Sequence, residues 1–296
     1  MPPNIHKKIY EERFQTADGR KELFSKLRNS FDGRALVTFF TSFDFATQID
    51  DKDADMLQSV LHNTDLNKGL VLMINSPGGD PLAAERIATI CRSYSGTKDY
   101  WALVPGRAKS AATMICMGAS KIIMAPTAEL GPVDPQVRVT IDSEFTYLPA
   151  DVVTSTYDQL FKDATSGTST TIEPYIQQLG RFDAREVAQF KSWIALSKDI
   201  SIKLLAAGMM SGKSEADIEA KIKIFLEAAQ TCDHGRPIYS DAAKKCDLNI
   251  EEIDLTSPDW NHIYELYVRM DMFVSSFAAT AVESLDESLF YDPPRQ

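Results

Sequence analysis

The sequence has 296 residues, 44% of them apolar and 25% charged, the mix of an ordinary globular protein and not of a disordered or fibrous chain. Against 42 acidic side chains stand 31 basic ones, a formal net charge of -11, and no basic cluster runs along any segment. That balance speaks against a nucleic-acid partner and gives no hold on anionic lipid.

The N-terminal stretch "MPPNIHKKIYEERFQ" lacks the apolar region of a secretion signal, and no apolar run approaches the ~20 residues of a membrane span. Cys91, Cys116, Cys232 and Cys246 show no C-x-x-C spacing, which suggests neither a zinc site nor a disulfide framework. Each reads as a small buried apolar residue, and a reducing cytoplasm is the expected setting.

In chain order, "ALVTFFTSF" (35–43) is β-branched and aromatic-rich and predicts a strand. "DDKDADMLQSVLHN" follows, acidic at its start with Met56, Leu57, Val60 and Leu61 at helical spacing. The unit then recurs: strand "GLVLMIN" into helix "PLAAERIATICRSY", strand "YWALVPG" into helix "SAATMICMGAS", then strand "KIIMAP". Near-continuous apolar strands alternating with helices predict an α/β fold with a largely parallel sheet covered on both faces. From about 145 the pattern turns helical, with helices expected over 149–164, 183–208 and 214–230, the last opened by Ser214 with Asp217 in a box-like capping position. These form an outer layer, and "TSGTSTT" (165–171) between them reads as a loop. A final helix is expected from about 259 to 284, followed by the tail "DESLFYDPPRQ". Its apolar face, in "MDMFVSSFAATAV", suits either core packing or an oligomer contact.

Two strand-to-helix joins stand out. "INSPGGD" passes from strand to helix through Gly78 and Gly79, presenting free N–H groups at the carboxyl edge of the sheet, where α/β proteins place ligands. Neither G-x-G-x-x-G nor a P-loop is present, so the turn carries little signal for nucleotide binding. The next join, "VPGRAKSAATMICMG", has Gly106 in the turn and Ser110 at the helix start. Alone, Ser110 reads equally as a helix N-cap. Paired with glycine N–H donors from the adjacent join, its hydroxyl describes acyl transfer: a nucleophile beside groups able to hold a developing oxyanion.

"INSPGGD" followed by "GRAKSAATMICMGASKIIMAPTAELGPVDPQ" resembles the Clp/crotonase superfamily, and within it the serine dehydrogenase proteinase family, relatives of signal peptide peptidase A. The resemblance is good over roughly 34–140 and extends more weakly to "HGRPIYSDAAKKCDL" (234–248). It implies a Clp/crotonase-like fold of repeated β-β-α and βα units with outer helices and a helical C-terminal part. The implied plan is an extension over 1–33, a serine peptidase domain over 34–250, and a helical extension with a tail over 251–296. Ser110 takes the nucleophile position, with oxyanion donors from the backbone of Gly79 or Gly78 and of Ala111. A peptide or protein substrate and a homo-oligomer follow from the same resemblance, with no cofactor or metal.

Serine needs a base. Where the Clp subunit carries its histidine this chain reads "ELGPVDPQ", so a Clp-type triad is not expected. Resemblance to signal peptide peptidase A points instead to a Ser-Lys dyad with Lys162, in "YDQLFKDATSG", desolvated so as to accept the proton neutral. Lys109 reads as a surface charge. His234, in a His-Gly-x-Pro-Ile turn similar to one of the serine dehydrogenase proteinases, and Asp134, a turn aspartate before proline, are the alternative base or its support. His6, His62 and His262 receive no role. Two other functions fit the fold: an acyl-CoA-binding crotonase without a serine nucleophile, and an oligomeric scaffold that has lost its base.

Overall fold

The computed structural model describes residues 4–12, 17–141, 144–166, 171–227, 230 and 233–293. Two helices, α1 (Ile5–Glu11) and α2 (Ala17–Leu27), precede β1 (Ala35–Thr41). The chain then alternates through α3 (Asp51–His62), β2 (Leu70–Asn75), α4 (Pro81–Tyr94) and β3 (Tyr100–Val104). A short strand β4 (Arg107–Ala108) leads to α5 (Ala111–Met117), β5 (Lys121–Met124) and another short strand, β6 (Glu129–Leu130). A hairpin of β7 (Gln136–Ile141) and β8 (Glu144–Pro149) runs into α6 (Ala150–Thr165), α7 (Glu173–Leu179) and α8 (Ala184–Ala207). There follow α9 (Glu215–Lys221), α10 (Lys223–Leu226), α11 (Ser240–Lys245) and β9 (Ile250–Glu252). The last described elements are α12 (Pro258–Ser276), β10 (Thr280–Glu283) and β11 (Ser288–Tyr291).

The main sheet has seven strands in the order β11-β10-β1-β2-β3-β5-β9. From β1 to β9 all pairs are parallel, as the apolar strand pattern predicts, while β10 and β11 add antiparallel neighbours at the β1 edge. Successive parallel strands step in one direction, and right-handed crossovers of that kind lay their helices on one face. Leu70, Leu72 and Ile74 of β2 accordingly pack with residues of α3, α4 and α5. Val71 and Met73 point the other way, into a second core with α2 and α12. Because helices cover both faces, every residue of β2 is buried and the strand has no polar alternation.

Local chemistry sets the helix starts. Asp50 and Asp53 form a reciprocal capping box at α3. Asp80 caps α4, whose first residue is Pro81, the position where a missing N–H costs nothing. Ser214 caps α9 by accepting from the Asp217 N–H at 3.2 Å.

Four expectations change. The helix predicted over 259–284 ends at Ser276, and Thr280–Glu283 forms a strand, because this β-branched, apolar stretch pairs with the free edge of β1. β8 lies where the chain was expected to turn helical from about 145, and its partner β7 falls where no element was expected; "QVRVT" carries the alternation that marks it. The helix expected over 214–230 breaks at Ile222, where burying Phe225 turns the chain. Of the loop expected at 165–171, positions 167–170 lie outside the described residues, and α7 follows it unforeseen. Cys91, Cys116 and Cys246 are free and buried, while Cys232 is outside the described residues.

Candidate active site

The site forms where β2 and β3 end. Beyond β2 the chain stays zipped to the next join: the Ser76 N–H donates to the Arg107 carbonyl at 2.9 Å, and the Lys109 N–H donates to the Ser76 carbonyl at 3.0 Å. The Asn75 side chain reinforces this by accepting from the Arg107 N–H at 2.9 Å. Gly78 is thereby laid against Ser110. A Cβ at Gly78 would sit 2.6 Å from the Ser110 Cβ and 2.7 Å from the Lys109 carbonyl oxygen, and its φ of +105° is itself a glycine conformation.

One peptide unit decides which glycine N–H is available. The Gly78 N–H is taken by the Ser76 hydroxyl at 3.2 Å. The Gly78 carbonyl accepts from the Ile49 N–H at 2.8 Å, and the Ile49 carbonyl accepts from the Asp80 N–H at 2.9 Å. No peptide bond among the described residues is cis, so the Gly79 N–H points opposite to the Gly78 carbonyl, away from Ile49. Neither the Gly79 nor the Ala111 N–H has a backbone acceptor among the described residues.

Ser110 has φ 50° and ψ -120°. With the Ala112 N–H donating to the Lys109 carbonyl at 2.9 Å, this is a type II′ turn whose first central position favours glycine. A serine held there stores strain on the order of 1–3 kcal/mol, a cost met most often at functional sites. Its hydroxyl makes no capping bond to α5, so capping does not account for a serine at this position. Ser110 instead lines a cavity of about 630 Å³ with Gly78, Gly79, Asp134 and His234.

Asp134 and His234 meet across 100 positions of sequence, Asp134 Oδ1 lying 2.8 Å from His234 Nδ1. The contact arises because Leu130 and Ile238 form an antiparallel bridge, drawing the segment after α10 onto β6. The Asp134 side chain is 2% exposed and its other oxygen accepts from Gln136 Nε2 at 2.9 Å, whereas His234, at 27%, reaches the cavity. A carboxylate only accepts, so in the neutral ring the proton lies on Nδ1 and Nε2 keeps a lone pair. Ser110 thus shares its cavity with the residues that the sequence offers only as an alternative base.

The two lysines weighed in the sequence lie in different settings. Lys162 is exposed on α6 and is not among the residues lining the cavity. Lys109 is no surface charge: its side chain is 13% exposed and pairs with Glu129 at 3.1 Å. Burial lowers its pKa, against the opposing pull of Glu129.

The lining also includes residues without a sequence signal: Tyr147 of β8, and Trp193 and Leu196 of α8. Among the described residues, no lysine or arginine lines the cavity, and Asp80 is held as the α4 cap, accepting from the Leu82 N–H at 2.9 Å. Among the described residues, no helix is long and apolar enough to cross a membrane.

Residues 36–158 match the family model described as "ClpP-like SDH-type serine proteinase". Over 86 residues the chain is 36% identical to uncharacterized protein MJ0137 of Methanocaldococcus jannaschii, covering 29% of each chain. To uncharacterized protein MJ1495 of the same organism it is 31% identical over 86 residues, again 29% of each. The chain thus spans less than a third of the length of the curated relatives it matches.

Proposed function

Because residues 36–158 match the ClpP-like SDH-type serine proteinase family model, we propose that this chain is a serine hydrolase that cleaves peptide bonds through an acyl-enzyme on Ser110. In this mechanism His234 Nε2 takes the hydroxyl proton as Ser110 Oγ attacks the carbonyl carbon. Asp134 holds the ring by its Nδ1 proton and stabilises the imidazolium that forms. The N–H groups of Gly79 and Ala111 receive the developing oxyanion. As the tetrahedral species collapses, His234 returns the proton to the leaving amine, and a water activated by the same nitrogen then hydrolyses the ester. Supporting this is one observation: a strained serine with an uncapped hydroxyl lines the same cavity as a hydrogen-bonded His-Asp pair and the Gly78-Gly79 turn. A crotonase-type thioester site would leave that His-Asp pair without a task. A peptide or protein substrate, a cytoplasmic setting and a homo-oligomer remain part of the proposal through the family likeness.

Intact-mass measurement after a fluorophosphonate probe tests it. The native chain gains one adduct, Ser110→Ala gains none, and His234→Gln labels roughly 10²–10⁴-fold more slowly. Lys162→Ala labels as the native chain does. Adduct formation on Ser110→Ala, or a loss confined to Lys162→Ala, would overturn the assignment.

A further inference from the structure

Three chain segments carry the three proposed catalytic groups, and one side chain touches all three. Lys109 directly precedes Ser110, and its Nζ lies 3.1 Å from Glu129 Oε1 on β6, the strand that leads to Asp134. The same Nζ donates to the Leu130 carbonyl and to the Gly235 carbonyl, each at 3.4 Å. Gly235 is the residue after His234. The stem is confined as well: a Cβ at Gly131 would lie 2.7 Å from Lys109 Cδ, so the absence of a side chain there makes the channel for the lysine.

An ammonium has three donors, and here each has a separate acceptor. Such an arrangement is costly to build, since burial works against the charge and only one of the acceptors is anionic. A methionine of similar length would pack as well against β6 and would leave the turn at Gly235 unattached. What the ammonium adds is a fixed separation between the serine turn and the histidine turn.

Resting on the serine-hydrolase proposal above, we infer that Lys109 is a positioning residue: its ammonium ties the His234 turn to the Ser110 turn and sets the register in which the two side chains meet. It touches neither substrate nor the reacting atoms. Misplacement by about 1 Å costs on the order of 10²-fold in rate, which is the scale at issue.

The test has two readouts on the full chain. Lys109→Met is expected to slow fluorophosphonate labelling of Ser110 by roughly 10- to 100-fold with the thermal midpoint near the native one. In isotope-labelled histidine spectra the Nδ1 proton of His234 is expected to shift or broaden in the same variant. Lys109→Met/Glu129→Gln removes the carboxylate left unpaired and is expected to stay slow; recovery there would assign the loss to the orphaned charge and overturn the inference. Native labelling together with a native Nδ1 resonance in Lys109→Met would overturn it too. Should Lys109→Met fail to fold, Gly131→Ala, which crowds the stem and keeps every charge, decides by the same readouts. Absence of labelling in the native chain would sink the serine nucleophile itself, and the His234 resonance would still decide the role of Lys109.

Discussion

The sheet half of the molecule and the arm formed by β7, β8 and α6 to α8 solve opposite problems. Around β1, β2 and β3 nearly every side chain is enclosed, and the Gly78 turn has no room even for a methyl group. On the arm, Phe145, Tyr147, Val152, Phe161, Ile176 and Trp193 are exposed, and among the described residues β7 and β8 pair only with each other. The cavity lies between the two, with the proposed nucleophile and oxyanion donors on the enclosed side and aromatic rims on the open one. Strain persists only where the surroundings over-determine it, so a II′ serine belongs to the enclosed half.

Glycine substitutions give the sharpest contrast. Gly78 and Gly212 both have positive φ, +105° and +88°, but a Cβ at Gly212 meets nothing within 4 Å. Gly212→Ala is expected to cost about 1 kcal/mol, the conformational penalty alone. Gly78→Ala adds a clash with the Ser110 Cβ and the Lys109 carbonyl and is expected to cost about 3 kcal/mol or more, with Ser110 labelling lost. Urea titration of both variants checks this, and equal costs would remove the distinction between crowded and open turns.

Carboxylates mark the same divide. Asp53, buried on α3, has its pKa raised to about 6, chiefly by desolvation. Asp183, at the start of α8, is lowered to about 2, first by the Arg185 side chain and then by its backbone N–H. A raised pKa means that the folded chain binds the proton more tightly than the unfolded one. Asp53 therefore contributes stability below its unfolded pKa near 4, and this is lost as pH rises through about 6. The shift corresponds to about 3 kcal/mol, so Asp53→Asn should gain on the native chain by that order between pH 4 and pH 7. Parallel stability curves over that window would show that the carboxyl is solvated.

Within the serine turn itself the expected effect is smaller. Ser110→Gly relieves the positive φ, and Ser110→Ala removes the hydroxyl while keeping the Cβ. The glycine variant should be the more stable of the two by about 1 kcal/mol, although neither labels. An alanine variant as stable as the glycine one would mean that the turn relaxes and stores no strain.

The sequence made the enclosed half legible because its signals are local. "GLVLMIN" has the continuous apolar run of a doubly covered strand, and "INSPGGD" and "GRAKSAAT" announce two glycine-bearing joins at one sheet edge. Pairing His234 with Asp134 was not legible, since it depends on the Leu130–Ile238 bridge closing a long excursion through α6 to α10. The exposure of Lys162 was not legible either, because resemblance locates a segment along the chain and not the side on which a helix is solvated. Lys109 shows the same limit in reverse: a lysine in a turn reads as exposed until an acid on another strand encloses it.

On the open half, Tyr147→Ala carries the smallest expected effect. The residue is 67% exposed, and among the described residues its strand pairs only within the hairpin. Removing it should change stability by less than about 0.5 kcal/mol, the usual range for a surface site. Labelling of Ser110 by a small fluorophosphonate should also be unchanged within about twofold, because the ring reaches the cavity from the exposed hairpin and not from the serine turn. Cleavage of a peptide long enough to span the cavity is the measurement in which a loss belongs, as a raised KM with kcat retained. A fall in labelling by the small probe would instead show that the arm helps to hold the serine, and the division between a rigid wall and an open one would fail.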